Sequence, residues 1–85
     1  MKNIYKYFDS LSEFGRLCED FMRSRYCFYC YINTNDRVIR VTIEKVDSLF
    51  FVAKLFYKGS RACFSKYCST SVFGCCRKVY DSLYV

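Results

Sequence analysis

The stretch "RVIRVTIEKV", residues 37–46, decides the fold. Ile39, Val41 and Ile43 alternate with Arg40, Thr42 and Glu44, which is the two-residue period of a strand with one buried and one solvated face. Asp47-Ser48 follows as a turn, and the Phe- and Val-rich "LFFVAKLFY", residues 49–57, reads as the next strand. Lys58-Gly59-Ser60 then makes a tight hairpin, because glycine permits positive φ, and 61–67 pairs behind it as a fourth strand. On the other side, 26–32 is aromatic and β-branched and ends in the turn cluster Asn33-Thr-Asn-Asp36. Region 48–58 has a second reading, a helix capped by Asp47 or Ser48 and stopped at Gly59. Its composition and its hairpin-like exit favour the strand.

Two amphipathic helices bracket these strands. In 10–25, Leu11, Phe14, Leu17, Cys18, Phe21 and Met22 recur at three- and four-residue steps. Ser10-Leu-Ser-Glu13 has capping-box spacing, with Asp9 as a competing cap. Glu13, Arg16, Glu19, Asp20 and Arg23 fill the opposite side, where Arg16–Asp20 and Glu19–Arg23 stand one turn apart. That face is electrically mixed and reads as solvated. In 71–83, Val72, Cys76, Val79 and Leu83 form one seam with Phe73 and Tyr80 beside it, and Ser69 or Thr70 supplies the cap. Arg77, Lys78, Asp81 and Ser82 face out, and Gly74 falls on the polar side, where it weakens the helix. The chain is thus predicted to be one α+β domain over 1–85. Its order is helix, three or four antiparallel strands, helix, with both helices packed on one face of the sheet and the other face open.

The chain has 85 residues, 53% hydrophobic and 26% charged, so it is globular with one modest core. Nine Tyr and nine Phe exceed what such a core uses, and some rings are expected at the surface. The formal charge of +6 is unevenly placed. Residues 1–36 balance five bases against five acids, whereas 37–85 carry nine bases against three. That asymmetry points to an acidic macromolecular partner, a protein complex or nucleic acid. Residues 1–14 lack the apolar stretch and small-residue cleavage site of a secretory leader, and no apolar run, "LFFVA" at 49–53 included, approaches the ~20 residues that cross a bilayer. A cytoplasmic protein is expected (host cell cytoplasm if phage-encoded), with no membrane contact and with its cysteines kept as thiols.

Cys27 and Cys30 have C-x-x-C spacing. On a strand, an odd spacing sends the two side chains to opposite faces, where they cannot share a metal. Cys63, Cys68, Cys75 and Cys76 supply no matching second pair, and there is no histidine. Of the adjacent Cys75 and Cys76, one is expected squarely on the buried seam and its neighbour at the boundary, the pair serving as two small core fillers. No metal and no cofactor are expected. Catalysis is disfavoured as well, because a nucleophile here lacks a histidine base and Gly15, Gly59 and Gly74 are too scattered for a phosphate loop. No catalytic residue is assigned.

With Ile39, Val41 and Ile43 turned toward the helices, Arg40 turns away, and Tyr29 and Tyr31 join it on the helix-free face with Phe50, Val52, Lys54 and Phe56, or with the alternate set on 49–57 if the register differs. Rings that stack and cations that meet phosphates are how single-strand-binding sheets work, and Tyr and Arg are also enriched in protein hot spots. Lys58, Arg61, Lys66, Arg77 and Lys78 make a second candidate, a basic edge near the hairpin and the last helix. The element order resembles that of the double-stranded RNA-binding domain. The lysine-rich start of that family's last helix is missing, however, and "STSVFGCCRK", residues 69–78, stands in its place. The order is also similar to that of small phage-encoded inhibitors such as some anti-CRISPR proteins, in which a compact scaffold blocks a nuclease complex. The leading expectation is a non-enzymatic phage or mobile-element inhibitor that occludes a nucleoprotein or nuclease complex through a basic and aromatic surface. Direct binding of RNA or single-stranded DNA is the alternative. A homodimer that buries the aromatic face is the third.

Overall fold

In the computed structural model, which describes residues 8, 10–34 and 37–84 and the backbone of 5–6, the alternation at 37–46 becomes the central strand of a five-stranded sheet. The elements run β1 (Tyr5–Lys6), α1 (Leu11–Met22), β2 (Cys27–Asn33), β3 (Val38–Asp47), β4 (Phe50–Tyr57), β5 (Cys63–Ser69) and α2 (Val72–Tyr84). The strands lie side by side in chain order, β2 to β5 antiparallel and β1 parallel to β2. Region 48–58 is strand, and the fourth predicted strand is present. β1 is an addition, and two residues are too few to show a period.

Burial sets the register. Phe28–Ile43–Ala53, Cys30–Val41–Leu55 and Ile32–Ile39 stand directly opposite one another across β2, β3 and β4. All of them are buried. A fully buried Ile, Leu, Val or Phe contributes about 1.5–3 kcal/mol. A slip of one residue would turn the whole set to solvent, so the pairing is strongly specified. Both helices cover this face. α1 lies over the β2 side, where Phe21 stacks on Phe28 with centroids 5.4 Å apart. α2 lies over β4 and β5, burying Cys75, Cys76 and Val79, and the Cys75 thiol donates to Phe51 O at 3.4 Å. Phe8, ahead of α1, joins the same core, buried with its ring 5.0 Å from that of Phe14.

The ends of the elements show what the sequence left open. Ser10 caps α1 by accepting from Glu13 N at 3.2 Å, while its competitor Asp9 lies outside the described residues. α1 stops at Met22, three residues before its expected end, and the ion pair on its outer face joins Arg23 to Asp20 at 3.2 Å instead of to Glu19. The turn after β2 closes through Thr34, whose backbone N and Oγ1 both donate to Arg37 O; its Asn35 and Asp36 are outside the described residues. Gly59 has φ +85°, which lets Ser60 N reach Tyr57 O and close the β4–β5 turn.

The cap of α2 is Ser71, not Ser69 or Thr70: its Oγ accepts from Gly74 N at 2.9 Å. Ser69 is still paired with Phe51 in the sheet, so the chain needs Thr70 to leave β5 before the helix begins. Gly74 also has a packing reason, because a Cβ there would collide with Ser69 Oγ and crowd Ser71 Oγ. Ser71→Ala is expected to lower stability by about 0.5–2 kcal/mol. Thr70→Ala is expected to stay within about 0.5 kcal/mol of the parent. Urea unfolding of the two variants side by side checks the position of the cap.

Candidate binding surface

The residues that alternate with the core build the helix-free side of the sheet. They form three rows across β2–β5: Cys27–Glu44–Val52–Cys68, Tyr29–Thr42–Lys54–Lys66 and Tyr31–Arg40–Phe56–Cys63. Tyr29, Tyr31, Arg40, Lys54 and Phe56 therefore share one surface, each half-buried. Tyr29 and Tyr31 meet edge to face with centroids 5.9 Å apart. Val52 is nearly buried and floors a shallow depression of about 220 Å³ bounded by Cys27, Thr42, Lys54 and Phe56.

Two features of this face are poor choices for stability. The first is Arg40, whose Cζ lies 4.3 Å from the centroid of Phe56 while its buried Nε has no hydrogen-bond partner among the described residues. A buried unsatisfied donor costs about 1–3 kcal/mol. The cation–π contact returns about 0.5–2 kcal/mol, so the site is close to neutral for folding. The second is Lys54 directly opposite Lys66. Like charges in such a pair destabilise by about 0.2–1 kcal/mol, and neither lysine is in an ion pair among the described residues. Glu44, one row away, is the acid on this face. Three cations, none in an ion pair among the described residues, thus stand among three rings.

The residues of the expected basic edge come from three places in the fold. Lys66 belongs to the helix-free face beside Lys54, Lys58 and Arg61 are exposed next to the β4–β5 turn, and Arg77 and Lys78 are exposed on α2. Lys78 Nζ donates to Cys68 O and so ties the helix to β5. The sequence reading missed another cluster, on the helix side at the end of the sheet. Arg37 Cζ lies 4.6 Å from the Tyr57 centroid, and Tyr57 stacks on Phe64 at 4.3 Å. The pairing shifts between Leu55–Ser65 and Phe56–Cys63, so Phe64 is an extra residue that leaves β5 toward Tyr57. Two aromatics flanking the glycine turn were the available signal, but alternation alone does not locate a bulge. At the other end, Tyr26, Val46 and Leu49 are exposed around the β3–β4 turn.

Cys27 is exposed on the helix-free face and Cys30 is buried under the helices, so the C-x-x-C pair points both ways. Cys75 and Cys76 are both buried, as two small core fillers are expected to be, and α2 packs against α1 as well as against the sheet. Among the described residues no group of three or more Cys, Asp or Glu is placed to hold a metal ion, and no helix is long and apolar enough to cross a membrane. The chain matches no protein-family model, no curated protein and no solved structure.

Burial pushes the Cys30 thiol up to about 12, with the neighbouring Cys76 adding to the effect. Cys75 is pushed to about 11 by burial first and then by Cys76 and Cys68. Cys18 is raised by burial and by its hydrogen bond with Cys76. These thiols stay protonated in the folded protein, whereas unfolded thiols ionise near 9. As pH rises past 9 the unfolded chain sheds protons first, so stability present below that pH is lost toward 12. Thermal melts are expected to be flat with respect to these groups below about pH 8 and to fall above pH 9, with a shallower fall in Cys30→Ala.

Proposed function

We propose that this chain is a non-enzymatic binding protein that lays the helix-free face of its sheet on an acidic surface of a larger macromolecular assembly and occludes it. This is the mode of a small phage or mobile-element inhibitor acting on a nucleoprotein or nuclease complex. The observation that carries the reading is the set Arg40, Lys54 and Lys66, none in an ion pair among the described residues. An arriving anion turns the Lys54–Lys66 repulsion into attraction, and Tyr29, Tyr31 and Phe56 supply the apolar contact that long-range charge lacks. Size fits as well. The molecule measures 35 × 27 × 23 Å, so one broad face is of the order of the ~800 Å² per partner that a standard interface buries.

A second reading, direct binding of RNA or single-stranded DNA, is favoured by the same rows, in which rings and cations alternate as stacking and phosphate-binding groups do. Salt separates the two, because nucleic-acid affinity falls steeply as counterions compete. Lys54→Gln/Lys66→Gln is expected to fold at least as stably as the parent while losing a stoichiometric, nuclease-resistant partner captured from host lysate. Equal capture by the parent and the double variant would remove the proposal. Steep loss of oligonucleotide binding between 50 and 200 mM salt (about a decade or more), with no protein captured, would transfer it to the second reading.

A further inference from the structure

Tyr57 and Phe64 stand apart from the surface described above: Tyr57 shares a row with buried Ile39 on the helix side of the sheet. Their rings are nearly parallel, 12° apart, yet each is about 40% exposed, 41% for Tyr57 and 39% for Phe64. Arg37 covers Tyr57, whereas Phe64 has no ring partner other than Tyr57 among the described residues. The exposed part of Phe64 is therefore not covered by another ring among the described residues. Beside it opens a cavity of about 330 Å³ that reaches Thr34 and Ser82. That volume is at the lower end of the roughly 300–1,000 Å³ typical of small-ligand sites. No acid lines this cavity or the neighbouring one among the described residues, and Lys58 borders the latter. Arg61 is exposed three residues further on. Arg37 and Lys58, the charged residues that line these two cavities among the described residues, are both basic.

We propose that the Tyr57–Phe64 stack is a binding site for one base–phosphate unit of a single-stranded nucleic acid. The base extends the stack over Phe64, and the phosphate lies toward Lys58 and Arg61. A flat ring gains most from an available aromatic face, and an anion joined to that ring uses the cations beside it. An acidic peptide would meet the cations and leave the ring unused. A duplex is excluded because its bases already stack on each other. The site lies on the other side of the sheet from Lys54 and Lys66, so it stands or falls separately from the proposed function.

The test is an NMR titration of the whole protein with 5′-phosphorylated dithymidylate. Ring resonances of Tyr57 and Phe64 and amides of 58–62 are expected to shift. Phe64→Leu keeps apolar volume but removes the flat face, and should weaken binding about 5- to 100-fold. If that variant does not fold, Arg61→Gln, an exposed change, carries the test through weaker and less salt-sensitive binding. Shifts confined to other residues, unchanged affinity in both variants, no shift at millimolar ligand, or equal shifts with tetraglutamate would each overturn the assignment.

Discussion

The pleat of β3 sorts the chemistry of the whole molecule. Ile39, Val41 and Ile43 leave it on one side and meet the helices, and Arg40, Thr42 and Glu44 leave it on the other. β3 is paired along its length with both β2 and β4, so its parity is imposed on its neighbours. Phe28, Cys30 and Ile32 go inward with Ala53 and Leu55, and Tyr29, Tyr31, Lys54 and Phe56 go outward with no choice of their own. A core of this size cannot accept those cations, which makes the inverted arrangement unfavourable throughout and not at single positions.

The packed core and the face proposed for recognition thereby lie on different sides of one sheet. The helix side holds close-packed rings, branched aliphatics and four thiols that act as small apolar fillers. Cys18, Cys30 and Cys76 come from α1, β2 and α2 and meet where the two helices and the sheet converge. The helix-free side tolerates an unsatisfied Arg40 Nε and a lysine pair placed face to face. Such features cost little enough for the core to carry, and they are what an acidic ligand would relieve.

Most of this architecture was legible because it rests on period. Both helices, the four longer strands and the sharing of one face by Tyr29, Tyr31, Arg40, Lys54 and Phe56 all follow from spacing. What stayed hidden depends on contacts between elements. The length of β5 decides that Ser71, and not Ser69 or Thr70, caps α2. A bulge at Phe64 assembles the stack with Tyr57. Neither of these leaves a mark in local alternation.

The most direct test of this division is NMR line broadening of the aromatic side chains by an inert, soluble paramagnetic agent. Ring signals of Tyr29, Tyr31 and Phe56 should broaden in the isolated protein, while those of Phe8, Phe14 and Phe28 should not. If Tyr29, Tyr31 and Phe56 are as protected as Phe28, something already covers the helix-free face, and the sorting of core from contact surface described for this chain is wrong.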